Sequence, residues 1–158
     1  MTARKEDMGK EKIRSVEQMP VYQAFLTLAL ELEKKTRGFG PDFRWLRVQI
    51  LRSSESVSAN MTEGFYSQYS TEYLQALYRC RREARETMTH LSYAQSTNQL
   101  PEDIALKLHG RYEQALMQLA NLTASIERKI RDRGKTKSGP LLKESKAGYV
   151  TGSDDATD

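Results

Sequence analysis

Cysteine is nearly absent from this chain: Cys80 stands alone, which excludes an internal disulfide and any metal site built from several thiolates. Its default role is that of a small packing residue. Histidine is almost as scarce, and the spacing of His90 and His109 fits no zinc pair or other metal signature. No apolar run approaches the ~20 residues a membrane-spanning helix needs. The charged start Met1-Thr2-Ala3-Arg4-Lys5-Glu6-Asp7 has no apolar stretch behind it to act as a secretory signal. A cytoplasmic protein without membrane contact is the expectation. Also missing are a glycine-rich phosphate loop, paired carboxylates and an activated nucleophile, and Gly38-Phe39-Gly40 lacks the rest of a nucleotide fingerprint. No catalytic residue, cofactor or metal is therefore assigned, and an enzyme is not expected. Strand signals are lacking too, since no segment alternates polar and apolar residues between turns.

What the chain does have is helical periodicity. Residues 1–16 are charged and poor in large apolar groups, which reads as a disordered lead-in. A first helix begins near Ser15 to Pro20, carries the one-faced stripe Val21, Phe25, Leu28, Ala29 and Leu32, and ends at Gly38 and Gly40-Pro41. A second starts around Pro41-Asp42 and runs to about Phe65. Ser70 suits the N-cap of a third, whose stripe is Tyr73, Leu77, Cys80, Ala84, Thr87, Leu91 and Ala94 and which ends near Thr97-Asn98. Pro101 opens the fourth, with Ile104, Leu108, Tyr112, Ala115, Leu119, Leu122 and Ile126 on one face. Four amphipathic helices with short connections predict an all-α, antiparallel up-down-up-down four-helix bundle over 17–133. A flexible tail, basic and then acidic, follows over 134–158.

The second helix is unusual. Counting in sevens, Phe43, Leu46, Ile50, Ser53, Val57, Asn60 and Gly64 share a stripe, so a polar amide sits among apolar neighbours. An unsatisfied buried group costs ~1–3 kcal/mol, so Asn60 must bond to a facing helix or to the chain turning after Gly64. The small residues Ser53, Ser54, Ser56, Ser58 and Ala59 permit close helix-on-helix contact.

The signature residues Gln49, Ile50, Arg52, Ser56, Val57, Asn60, Met61, Glu63 and Gly64 follow an approximate Q-I-R-R-A-A-x-S-I-x-x-N-I-A-E-G pattern. In this the chain resembles the bacterial four-helix-bundle proteins: the intervening-sequence proteins of large-subunit ribosomal RNA genes and, more distantly, the accessory variability determinants of diversity-generating retroelements. A looser likeness covers Tyr73, Leu74, Leu77, Arg79, Cys80 and Glu83, where Arg79 takes the family's usual glycine position. Together the likenesses span residues 19–131. The resemblance implies the same bundle fold, a homopentamer, and, in its retroelement branch, a reverse transcriptase partner.

Net charge is +4, a mild lean toward anionic partners. Tyr78, Arg81, Arg82 and Arg85 follow i, i+3, i+4, i+7 with Arg79 adjacent, a face suited to phosphate and base stacking. The competing reading is a solvated surface with i, i+4 pairs Arg79–Glu83 and Arg82–Glu86. Further along, Arg128, Lys129, Arg131, Arg133, Lys135, Lys137, Lys143 and Lys146 face only Asp132 and Glu144, before Asp154, Asp155 and Asp158 reverse the sign. The expected nucleic-acid contacts are Tyr78, Arg79, Arg81, Arg82, Arg85, Arg128, Lys129, Arg131 and Arg133. Gln49, Arg52, Ser56, Asn60, Glu63 and Gly64 are expected to hold the bundle in shape. The leading expectation is a non-enzymatic, oligomeric scaffold that binds RNA or an RNA–DNA intermediate beside a retroelement reverse transcriptase. The alternatives are a ribosomal-RNA intervening-sequence protein without that partner, or a protein-only structural bundle.

Overall fold

In the computed structural model, which describes residues 12–135, four α-helices carry the chain: α1 Pro20–Lys35, α2 Arg44–Phe65, α3 Ser70–Ser96 and α4 Glu102–Lys135. The connections are short, so successive helices run antiparallel, and α1 packs on α2, α2 on α3, α3 on α4 and α4 back on α1. Among the described residues there is no strand, and no helix is long and apolar enough to cross a membrane.

Periodicity explains which faces turn inward. All seven stripe residues of α3 are buried, as are Leu108, Tyr112, Ala115, Leu119, Leu122 and Ile126 of α4, with Ile104 half-buried at its start. In α1 the buried set is Val21, Phe25, Leu28 and Leu32. On α2 the strict count in sevens drifts. Leu46, Ile50, Ser53, Val57 and Gly64 are buried, but so are Ser54, Ser58 and Met61, while Phe43 and Asn60 sit half-buried at the edge. A helix with 3.6 residues per turn rotates its stripe against a seven-residue repeat, which is why.

The small residues bring α2 and α3 together. Thr87 Oγ1 donates to Ser53 Oγ at 2.7 Å inside the core, and Cys80 Sγ donates to the Val57 carbonyl at 3.2 Å. A Cβ on Gly64 would stand 2.4 Å from Ala76 Cβ and 3.0 Å from Tyr73 Cδ2, so only glycine permits this approach.

The corners have separate explanations. Pro41–Phe43 forms a 3-10 turn, and α-helical bonding starts only at Arg44. Asn98 takes φ 60°, a left-handed conformation asparagine tolerates, letting the Gln99 and Leu100 amides close on the Ala94 carbonyl. Gln99 Oε1 then accepts from the Gly40 amide at 2.8 Å, which ties this corner to the α1–α2 corner.

The packed chain begins before the expected boundary at residue 17. Val16 and Met19 are fully buried, and Ile13 packs against the core. Tyr66 Oη accepts from the Val16 amide at 3.4 Å, and the Tyr73 hydroxyl donates to Met19 Sδ at 3.4 Å. Of the segment read as a lead-in over 1–16, Ile13 and Val16 pack against the bundle, while Lys12 and Arg14 are exposed. The 3-10 turn that follows, Val16–Gln18, packs on α1 and α2. Residues 1–11 and 136–158 lie outside the described part, and with them Lys137, Lys143, Lys146 and the terminal aspartates.

Candidate nucleic-acid interface

Gln49, Arg52, Ser56, Asn60 and Glu63 advance three or four residues at a time, so they line one edge of α2, the edge facing α3. Asn60 finds partners on both sides. Its Nδ2 donates to the Ser56 carbonyl at 2.8 Å and to Ser56 Oγ at 3.0 Å, and its Oδ1 accepts from Arg79 Nε at 3.0 Å. Arg79 also lies 4.0 Å from the Glu63 carboxylate. About two helix turns further along, Arg52 pairs with Glu86 and, at 3.6 Å, with Glu83, while Glu86 also meets His90 Nε2 at 3.4 Å. The signature residues therefore form a polar seam that bolts α2 to α3.

This seam redistributes the arginines. Glu83 and Glu86 pair across to α2, in place of the i, i+4 partners Arg79 and Arg82 that the sequence suggests. Arg79, in the third-helix basic cluster, is half-buried in the seam. Arg85 reaches the opposite neighbour, donating to Glu113 of α4 at 2.7 Å. The Tyr78 hydroxyl donates to Glu127 of α4, a bond that raises its pKa because deprotonation would set two negative charges together. Arg81 lies over the Tyr78 ring, 5.2 Å from its centroid, a cation–π contact that stays exposed. Arg82 points outward with no ion pair among the described residues.

The α4 cluster also divides. Arg131 is four residues past Glu127 and shares its side of the helix, with Arg128 adjacent on the outer face; both are exposed and make no ion pair among the described residues. Lys129 lies two residues past Glu127, about 200° around the helix, and Arg133 follows it by one turn on that other side. Burial, and then the charge of Arg133, lowers the Lys129 pKa. The structure thus gathers Tyr78, Arg81, Arg82, Arg128 and Arg131 on the outer α3–α4 surface. It places Arg79, Lys129 and Arg133 elsewhere and ties Arg85 to a carboxylate. Glu113 and Glu127, the counter-charges of this surface, escape sequence reasoning because no local spacing links them to α3.

Burial pushes the Cys80 thiol up to about 12. His109 Nε2 contacts Ser92 Oγ at 3.1 Å. Among the described residues no group of three or more His, Cys, Asp or Glu is placed to hold a metal ion.

No curated protein sequence shows significant similarity to the chain. The family model described as 23S rRNA-intervening sequence protein matches residues 17–121, which takes in α1, α2, α3 and the first part of α4 and stops before Arg128. That match covers more than half of the sequence and includes the whole α2–α3 seam, and the chain belongs to the 23S rRNA-intervening sequence protein family.

Proposed function

We propose that this protein is a non-enzymatic RNA-binding bundle that associates with ribosomal RNA through the outer α3–α4 surface. Arg82, Arg128 and Arg131 carry the reading, since they are exposed guanidinium groups without carboxylate partners among the described residues, beside the Tyr78–Arg81 stack. Guanidinium forks grip phosphate bidentately, and the half-buried Tyr78 ring with Arg81 over it adds a stacking surface for an unpaired base. Self-association, with five copies the number the resemblance implies, would repeat this surface around a particle and multiply its charge. The family match supports the ribosomal-RNA branch. A reverse transcriptase partner remains the second reading, and no feature of the fold favours it.

Filter binding of a large-subunit ribosomal RNA intervening-segment transcript tests the proposal. Three to four phosphate contacts predict an affinity loss of about 20- to 50-fold between 50 and 200 mM salt. Retention that is absent, or indifferent to salt, contradicts it and leaves the protein-only bundle.

A further inference from the structure

An apolar face lies across α1 and α2, away from the outer α3–α4 arginines. Leu30 of α1 is 59% exposed and Val48 of α2 is 60% exposed, and between the two helices runs a groove of about 740 Å³ lined by Leu26, Leu30 and Leu51. Large aliphatic side chains left this open on adjoining helices mark a surface that meets another molecule.

The outward stripe of α2 says which molecule. Arg44, Val48, Leu51 and Glu55 advance by four, three and four residues, so at about 100° per residue they fall within an arc of about 60° on the side away from the core. The stripe is apolar in its middle, with a guanidinium about 6 Å beyond Val48 at one end and a carboxylate about 6 Å beyond Leu51 at the other. Arg44 and Glu55 are both exposed, and neither makes an ion pair among the described residues. Turned end over end, the stripe is its own complement. An antiparallel two-fold axis passing between residues 49 and 50 sets Val48 of one copy against Leu51 of the other, and the same register sets Arg44 against Glu55 at both ends. Moved by one helical turn either way, Arg44 meets Leu51 or Ala59 instead.

The first helix fits the same axis. Glu33 accepts from Arg47, and one turn back along α1 from that contact lies Leu30, while one turn on along α2 lies Leu51. Leu30 therefore stands at the level of the axis, where the two copies of it flank the Val48–Leu51 contacts. Like charges stay apart: Arg47, on the α1 side of the stripe, is held by Glu33, and Arg52, on the α3 side, by Glu83 and Glu86. We propose that the α1–α2 face docks a second copy of this chain, α2 packed antiparallel on α2, with two Arg44–Glu55 pairs closing the ends of an apolar contact made by Val48, Leu51 and Leu30. An isologous contact of this kind closes with two copies. A ring needs a separate head-to-tail contact, so the pairing is independent of the five-copy number that the resemblance implies. It is independent of RNA binding as well, since it uses none of Arg82, Arg128 and Arg131.

Charge reversal in the full-length chain, read by sedimentation equilibrium at micromolar concentration without RNA, tests the placement. Both positions are exposed, so the variants keep the fold, which far-UV circular dichroism checks. Arg44→Glu and Glu55→Arg should each weaken the pairing at least about tenfold, because like charges then face each other at both ends. Mixed in equal amounts, the two variants should pair with each other to within about threefold of the parent, since a copy with two carboxylates then faces a copy with two guanidinium groups. A parent that stays monomeric would overturn the proposal and assign the face to a different protein. So would single reversals that leave the assembly unchanged, or a mixture that pairs no better than either variant alone.

Discussion

Replacing Gly64 by alanine sets two effects of known sign against each other. In a helix interior alanine is favoured over glycine by ~0.8–1 kcal/mol, so propensity alone predicts a more stable protein. The α2–α3 contact predicts the reverse. The new methyl would stand 2.4 Å from Ala76 Cβ, 3.0 Å from Tyr73 Cδ2 and 3.4 Å from the Tyr73 carbonyl oxygen, and all three belong to one stretch of α3. Ala76 and Tyr73 are buried, with 1% and 0% exposure, so neither can swing aside. Carbon atoms rest at about 3.5–4.0 Å, so the helices must part by roughly 1 Å at their tightest point. Overpacking of that kind costs ~1–3 kcal/mol, and with contacts this short it exceeds the propensity gain, for a net loss of up to about 2 kcal/mol. Urea denaturation reads the effect as a lower midpoint at unchanged slope. Two companions sharpen it. Gly110→Ala, with nothing within 4 Å of its new methyl, should stabilise by ~0.5–1 kcal/mol. Ala76→Gly in the Gly64→Ala background should restore part of the loss, since it removes the nearest colliding atom. A Gly64→Ala protein as stable as the parent, or more so, would refute the close-approach argument.

Further outcomes follow from the seam and the core. A double-mutant cycle over Asn60→Ala and Arg79→Ala should show a coupling of about 1 kcal/mol in folding free energy, because each residue is the other's hydrogen-bond partner across α2 and α3; additive losses would remove the bond from the account. At alkaline pH the Cys80 thiol, whose ordinary value of 9.0 is pushed up to about 12 by burial, favours the folded state fully below pH 9. That contribution is lost as pH rises toward 12, at up to ~1.4 kcal/mol per pH unit, with the buried Tyr73 and Tyr112 hydroxyls acting in the same direction from higher ordinary values. Denaturation midpoints should therefore fall above pH 9 and fall less steeply in Cys80→Ala; equal slopes would show the thiol already exposed.

The helices were legible because their stripes repeat at i, i+3 and i+4 with few interruptions, and every stripe residue the spacing names in α3 and α4 except Ile104 is buried, beside Ala76, Met88, Ala105 and Leu116, which it does not name. The lead-in was not. Val16 and Met19 carry no periodic signal, and the partners they meet, Tyr66 and Tyr73, lie some fifty residues on and come beside them only once the helices are stacked. A local clue did exist: Ser15-Val16-Glu17-Gln18 has the spacing of a capping box, and Gln18 Oε1 does accept from the Ser15 amide at 3.2 Å. The arginines illustrate the deeper limit. Arg79 turns to α2 and Arg85 to α4, and the choice is settled by interhelical register, which no window of sequence encodes. The need for Asn60 to find a facing partner could be argued from its place among apolar residues, whereas Arg79 as that partner could not.

The account divides the basic residues into those that hold the bundle together and those that face outward for phosphate. Affinity for the ribosomal RNA transcript, measured at 50 mM and 200 mM salt, separates them most directly. Arg82→Ala, Arg128→Ala and Arg131→Ala combined should weaken binding at least about tenfold at 50 mM salt and flatten its salt dependence by roughly two units of slope, with folding stability unchanged. Arg79→Ala should lower stability and leave RNA affinity within about twofold. The opposite pattern, with RNA binding lost in Arg79→Ala and retained in the triple variant, would contradict the assignment of the outer α3–α4 surface.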